Sequence, residues 1–243
     1  MKPLLATILL LQLSLVFGQD FSYPTIKNEG ETITNFIPKG WTVRDSASGD
    51  LNNDNNKDYA VILQRKDSVT ILKEEDDFTD TIITQPRILI ILFRNNSSNK
   101  YQLVEQSNSF ILNHDNPTME DPYKSMKIEK GILQINFYLF YNMGSWLVTN
   151  TSYKFRYQHN AFVLIGAENY NFHRTTLDYE NYSFNFLTNN WSVTKGNSNS
   201  DKGNDHSEEK QKCERYILEL TELKTFKTFK QPYTWEVING VYL

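Results

Sequence analysis

Apolar and polar residues alternate along much of this chain. In "ILQINFYLF" (132–140), Leu133, Ile135 and Phe137 fall on one face while the intervening residues fall on the other. The segments "SYKFRY" (152–157) and "YSFNF" (182–186) alternate in the same way. A period of two is typical of β-strands that turn one face to a core and the other to water.

One segment departs from this alternation. "RILIILF" (87–93) is apolar on both faces and begins after Pro86, which predicts a central strand. Turn residues at His159-Asn160 and at 188–190 predict hairpins. "YILELTEL" (216–223) and "YTWEV" (233–237) are interpreted as the last strands, and no segment predicts an amphipathic helix. The predicted fold is mostly β, with antiparallel sheets in a β-sandwich or partial propeller-like arrangement and little helix.

The ends and one internal segment differ from the rest in composition. Residues 1–18 have one charge, at Lys2, then an apolar run and a small residue, which predicts a signal peptide. An uncleaved membrane anchor is the alternative, but the run is shorter than the roughly 20 apolar residues of a spanning helix. Residues 19–243 are interpreted as a single β-rich domain with no transmembrane segment. Within it, the polar segment 195–212 predicts a mobile loop, because it has no apolar anchor.

The predicted signal peptide implies a periplasmic or extracellular protein. Its single cysteine, Cys213, lies far from the expected cleavage site, so we expect that it is not a lipoprotein and has no intramolecular disulfide. The 25 basic and 29 acidic residues give a formal net charge of −4. This balance disfavours nucleic acid and anionic membrane surfaces as partners.

The segment "GDLNNDNNKDYAVIL" (49–63) has oxygen-bearing side chains at alternate positions. With Asp50 as position 1, Asn52 is at 3, Asp54 at 5, Asn56 at 7 and Asp58 at 9. Calcium loops place side-chain ligands at 1, 3 and 5, a backbone carbonyl at 7 and a side chain or water at 9. The pattern predicts a structural Ca²⁺ site, and a metal-free Asn/Asp turn is the alternative.

Two positions depart from the pattern of a helix–loop–helix calcium site, and the second of them, with the strand that follows, excludes it. Position 6 is Asn55 rather than glycine, and position 12 is Val61 rather than a bidentate glutamate. An apolar strand follows instead of a helix. Asn is the residue that best tolerates a positive φ after glycine, so the loop itself remains feasible.

The segment "ASGDLNNDNNKDYAVIL" (47–63) resembles the calcium loop of FG-GAP/VCBS-type repeats, which occur in integrin-like β-propellers and exported bacterial proteins. The resemblance implies Asp50, Asn52, Asp54 and Asp58 as side-chain ligands and Asn56 as a carbonyl ligand. It covers about residues 41–65 in one copy, whereas propellers use several. Elsewhere, "RILIILFRN" and "YKFRYQHNAFVLIGAE" resemble exported bacterial proteins of uncharacterised function. The resemblance implies a metal and a compartment but no reaction.

Catalytic patterns are weak. The four histidines show no zinc-ligand spacing, and the chain lacks a phosphate-binding glycine loop. Glu120 and Asp121 form a carboxylate pair of the type that glycosidases use, in a polar stretch. A hydrolase built on these two residues is therefore the alternative function.

The aromatic stretch "NFYLFYNMGSW" (136–146) offers a binding surface. Alternation places Tyr138, Phe140 and Trp146 away from the core face, where they are candidate ligand-binding residues for a protein or a glycan. A second core layer is the competing interpretation. The sequence thus favours a non-enzymatic, calcium-stabilised binding protein, and a purely structural envelope component is a third possibility.

Overall fold

The computed structural model describes residues 21–75, 78–199 and 212–243. The expected signal peptide and residues 200–211 of the expected mobile loop lie outside these ranges. Sixteen strands follow in chain order: β1 (Glu29–Gly30), β2 (Trp41–Gly49), β3 (Asp58–Arg65), β4 (Val69–Glu75), β5 (Phe78–Thr84), β6 (Arg87–Asn95), β7 (Lys100–Ser107), β8 (Tyr123–Glu129), β9 (Ile132–Leu139), β10 (Leu147–Gln158), β11 (Ala161–His173), β12 (Asp178–Asn185), β13 (Asn190–Asn197), β14 (Lys212–Ile217), β15 (Glu236–Ile238) and β16 (Val241–Tyr242). A 3₁₀ turn (Ile33–Phe36) and the short helix α1 (Phe226–Phe229) complete the described elements.

Two antiparallel sheets form the body of the protein. One has five strands in the order β1-β7-β6-β3-β2, and the other has seven in the order β14-β13-β12-β11-β10-β9-β8. Two hairpins, β4-β5 and β15-β16, stand apart from them. Side chains of both sheets, among them Ile91, Phe137 and Phe155, share one buried cluster. The prediction of a mostly β, antiparallel fold with little helix is confirmed, and the two sheets pack as a sandwich.

The five-stranded sheet is buried on both faces. Its central strand β6 has residues 88–92 fully buried, with alternate side chains in the shared core and in a second cluster. Phe36 and Trp41 belong to that second cluster. The apolar run at 87–93 therefore has the central position expected of it, between β3 and β7.

The seven-stranded sheet has one apolar face. Its outer face carries a row of polar residues set side by side by the strand register, namely Asn136, Ser152, Glu168 and Ser183. The Ser152 hydroxyl donates to Asn136 Oδ1 at 2.6 Å. This is the alternation that the sequence predicts, and it leaves one broad polar face on the sandwich.

Both predicted hairpin tips are present. His159 and Asn160 have φ of 51° and 60° between β10 and β11, and Asn189 has φ of 51° between β12 and β13. Asn supplies two of these three left-handed positions with little strain. Within the described part of the chain, no helix is long and apolar enough to span a membrane.

The last predicted strands are wrong in extent. β14 stops at Ile217, because Leu218 turns inward and packs in the shared core. Of "YTWEV", only Glu236 and Val237 lie in a strand. Between them, Thr225 caps the unpredicted helix α1, whose Phe226 and Phe229 are buried.

Candidate calcium loop and aromatic patch

The loop after β2 curls around its own side-chain oxygens. Asp50 accepts hydrogen bonds from the backbone N–H groups of Asp54 at 3.2 Å and Asn55 at 2.8 Å. Asn52 Oδ1 also accepts from Asp54 N–H, at 3.1 Å, and Asp54 Oδ1 accepts from Asn56 N–H at 2.8 Å. The side chains at positions 1, 3 and 5 are thus brought together.

Two asparagines give the loop its curvature. Asn53 and Asn55 have φ of 62° and 64°, in the left-handed region that most side chains avoid. Asn55 is the position where calcium loops usually have glycine. Asparagine therefore replaces glycine without preventing the tight turn.

Asp58 has a different role from the other four predicted ligands. Its carboxylate is fully buried and accepts from the backbone N–H of Leu51 at 2.9 Å and of Arg94, in β6, at 3.0 Å. Burial raises the pKa of Asp58, and the nearby Asp54 and Asp50 add to that rise, while the two backbone hydrogen bonds oppose it. Asp58 anchors the loop to the five-stranded sheet.

The loop also contacts the other sheet. A Cβ on Gly49 would come within 2.5 Å of Ile128 Cγ2, so glycine lets the loop approach β8 closely. Gly131, in the β8–β9 turn, faces Asn53, whose Oδ1 would lie 3.5 Å from an added Cβ. The loop therefore lies where the two sheets of the sandwich meet.

The donor set of this loop consists of hard oxygens. Burial opposes ionisation of Asp54, but hydrogen bonds from Asn56 and Asn52 outweigh it and lower the pKa of Asp54. In the described ranges, no group of three or more His, Cys, Asp or Glu residues is arranged to hold a metal. Two carboxylates and the Asn52 amide are what the loop offers, a set suited to Ca²⁺ with carbonyl and water ligands.

The candidate ligand-binding aromatics lie at one end of the seven-stranded sheet. Tyr138 and Phe140 stack, with ring centroids 6.0 Å apart and planes inclined by 11°. Trp146 is 63 % exposed just before β10. Lys124 lies over the Tyr138 ring at 5.5 Å. These side chains are on the face opposite the core residue Phe137.

Arg174 joins these aromatics into one surface. Its guanidinium lies 4.6 Å from the Phe140 ring centroid and 5.5 Å from that of Trp146. Nη2 donates to the carbonyls of Tyr141, at 2.8 Å, and Ser145. Nε is buried and has no hydrogen-bond partner among the residues that the structure describes. We define Tyr138, Phe140, Met143, Trp146 and Arg174 as the aromatic patch.

Sequence reasoning missed Arg174. It follows "NFH" at the end of β11, and its N–H donates to the Trp146 carbonyl at 2.9 Å across the β10–β11 pair. The predicted hairpin turn at His159-Asn160 could have located Arg174, because counting residues outward from that turn along both strands places Arg174 near Trp146.

Asp121, one of the two carboxylates of the alternative hydrolase prediction, forms ion pairs with two arginines. Its carboxylate binds the Arg87 guanidinium at 2.9 and 2.6 Å and Arg44 Nη2 at 2.6 Å. Burial would raise the pKa of Asp121, but the hydrogen bonds and charge of Arg87, with the charge of Arg44, lower it. Glu120, its predicted companion, is exposed. A general acid that acts near neutral pH needs a raised pKa, and the pKa of Asp121 is lowered instead.

Comparisons with protein-family models, with curated proteins and with solved structures found no match to this chain.

Proposed function

We propose that this protein is an exported, calcium-stabilised β-sandwich that acts as a non-enzymatic binding module and contacts a protein partner through its aromatic patch. The observation that supports this proposal most directly is the position of Arg174 between Phe140 and Trp146. An arginine held by two backbone carbonyls fixes the exposed Trp146 in place before any partner arrives. Such preorganisation lowers the entropic cost of binding.

The composition of the patch favours a protein partner. Trp, Tyr, Met and Arg are the residues enriched at protein interfaces and at their energetic centres. Met143 is 69 % exposed and Trp146 is 63 % exposed, which leaves two large apolar side chains of the patch open to solvent. The polar row on the outer face of the same sheet continues from this apolar centre and supplies a hydrated rim.

The loop at 50–58 supports the calcium part of the proposal. Asp50, Asn52 and Asp54 would hold the ion through side-chain oxygens, with the Asn56 carbonyl as a further ligand. A bound cation would offset the repulsion between the two ligand carboxylates. Because the loop lies between the sheets, the ion would stabilise the sandwich itself.

Thermal unfolding of residues 19–243 tests the calcium site. In chelator and then in excess Ca²⁺, we expect a stabilisation of about 2.7 kcal/mol when calcium is at 100 times its Kd. Asp54→Asn should lose this shift, whereas Asp67→Asn, an exposed aspartate outside the loop, should keep it. An unchanged melting temperature, or an equal shift in both variants, would refute the site.

Selection from a displayed library of extracellular protein domains tests the patch. Trp146→Ala should weaken a genuine partner by at least about 2 kcal/mol, or roughly 30-fold. Tyr242→Ala removes a comparably exposed aromatic ring from β16 and is the matched control. Partners whose affinity does not respond to Trp146→Ala would show that the patch is not the interface.

A further inference from the structure

A separate cleft of about 570 Å³ opens where four segments of the chain meet. Tyr23 comes from the N-terminal arm, Asn113 from the β7–β8 connection, Tyr141 from the segment after β9 and Tyr233 from the segment after α1. Its size is in the range of small-ligand sites. We propose that this cleft binds a neutral saccharide. The proposal is independent of the aromatic patch and of its partner.

The Tyr233 hydroxyl is a donor prepared for a ligand. It is buried and has no hydrogen bond of good geometry with any part of the chain that the structure describes, although Thr151 is its polar neighbour. Burial raises its pKa well above the usual value, so the hydroxyl keeps its proton. An unpaired buried hydroxyl is costly, and a ligand oxygen in the cleft would remove that cost.

A chain of buried and part-buried polar side chains ends at Thr151, the polar neighbour of Tyr233. Thr149 donates to Asn171 Oδ1 at 2.8 Å, Asn171 to Asn169 Oδ1 at 2.6 Å, and Asn169 to Thr151 Oγ1 at 2.9 Å. These residues lie on the inner face of the seven-stranded sheet, where apolar residues would pack at lower cost. The chain positions Thr151 beside the Tyr233 hydroxyl.

The backbone that carries Tyr233 is strained. Lys230 and Tyr233 have φ of 49° and 65°, two left-handed non-glycine residues within four positions. Ser109 Oγ donates to the Lys230 carbonyl at 2.8 Å, and Thr234 Oγ1 donates to the Gln231 carbonyl at 2.7 Å, which holds this conformation. Such strain concentrates at ligand sites, where it positions a side chain.

Across the cleft, Tyr23 and Asn113 form a second polar group. Asn113 lies beside the Tyr23 hydroxyl and lowers the pKa of Tyr23, while Asn113 Oδ1 is buried and has no hydrogen-bond partner among the described residues. Burial raises the pKa of Tyr23 and outweighs the effect of Asn113, so Tyr23 is also neutral. Two residues that line the cleft thus each have an unpaired buried polar atom, an acceptor on Asn113 and a donor on Tyr233.

The residues that line the cleft indicate the class of ligand. Its polar groups are hydroxyls and amides, and its apolar floor includes Ile111 and Leu139. Asp115 is the one charged residue among the described lining residues, so the cleft repels anions and has no cation to hold them. A neutral sugar matches this lining, because its hydroxyls both donate and accept and its ring faces pack on tyrosine.

Isothermal titration calorimetry of residues 19–243 tests the cleft with named probes. These are cellotetraose, maltotetraose, xylotriose, mannotriose and triacetylchitotriose, with trigalacturonate as the anionic comparison. We expect at least one neutral saccharide to bind and trigalacturonate not to bind. Tyr233→Phe, which removes only the hydroxyl, should weaken the neutral saccharide about tenfold. Tyr179→Phe removes another unpaired buried hydroxyl away from the cleft and should leave affinity unchanged.

Three results would overturn the proposal. They are binding of none of the neutral saccharides, equal affinity in wild type and Tyr233→Phe, and binding lost in Trp146→Ala but kept in Tyr233→Phe. The last result would assign the sugar to the aromatic patch. If Tyr233→Phe does not fold, Asn113→Leu makes the same test from a different segment and should also weaken binding.

Discussion

The two sheets of the sandwich use arginine in opposite ways. Arg87 opens β6 of the five-stranded sheet with its side chain only 2 % exposed, and its donors reach Gln64, the Leu112 carbonyl and Asp121. Arg174 follows β11 of the seven-stranded sheet, between two aromatic rings and with its Nε unpaired among the described residues. The first arginine is enclosed by partners, whereas the second supports an exposed surface.

This difference follows from how each sheet is covered. The five-stranded sheet packs apolar side chains on both faces, so a charge at the start of its central strand must be neutralised within the protein. The seven-stranded sheet turns one face to solvent, where a cation can remain partly hydrated beside aromatic rings. We infer that the first sheet stabilises the fold and the second presents the ligand surface.

The largest expected effect is the loss of stability when Arg87 is replaced, and it distinguishes Arg87 from Arg174. Arg87→Met should lower the free energy of unfolding by about 3 kcal/mol, because it removes a buried guanidinium from a part-buried ion pair and leaves its acceptors without a donor. Urea denaturation measures the loss. Lys39→Met, at an exposed site, should change stability by no more than about 0.5 kcal/mol. A loss for Arg87→Met as small as that of the control would contradict the structural role.

The pH dependence of stability tests the ion pair between Arg87 and its partner Asp121. In the folded protein the pKa of Asp121 lies below its usual value of 3.8, so ionised Asp121 contributes stability above that pH. The contribution is lost as pH falls from about 3.8 through the lowered folded pKa. Urea midpoints of wild type and Asp121→Asn should therefore differ at neutral pH and converge below pH 3.8. A constant difference across this window would rule out the linkage.

The smallest effect concerns Arg174. Arg174→Met should cost only about 0.5–1 kcal/mol of stability, because its cation–π contacts are partly exposed. A double-mutant cycle with Trp146→Ala should give a coupling energy of similar size. The same cycle with Tyr242→Ala should give none. Coupling to Tyr242, or a loss as large as that of Arg87→Met, would mean that the two arginines do not differ as described.

The sequence predicted features that depend on local chemistry. Alternation located β9, the apolar run located β6, and asparagine located the hairpin tip at Asn189. These predictions were correct because a side-chain period or a positive φ is a property of neighbouring residues. The predicted extent of the strand at 216–223 was wrong for the opposite reason. Leu218 packs in the core, and this packing overrides the alternation that continues in the sequence.

Contacts between distant segments were only partly predictable. Counting back from the His159-Asn160 turn would pair Trp146 with His173, but an irregularity between Lys154 and Phe155 shifts the register by one residue. Arg174 is opposite Trp146 as a result. Nothing in the local sequence marks that shift, so counting from the turn places Arg174 near Trp146 but not directly opposite it.

Asp58 was predicted as a ligand from spacing and from the FG-GAP/VCBS resemblance, and neither determines where a carboxylate points. Both of its oxygens accept backbone N–H groups, one from Leu51 and one from Arg94. The alternate oxygen pattern therefore fits the side chains of loop residues 50–56 better than it fits the Asp58 carboxylate.

The two amides held by Asp58 provide a spectroscopic reporter for the loop. Because Leu51 N–H and Arg94 N–H bond to a fully buried carboxylate, their protons exchange with deuterium only when the loop detaches from β6. Their exchange rates therefore report the opening equilibrium of the loop with no label or mutation. Arg94 reports it from the sheet side and Leu51 from the loop side, so matching rates identify a single cooperative opening.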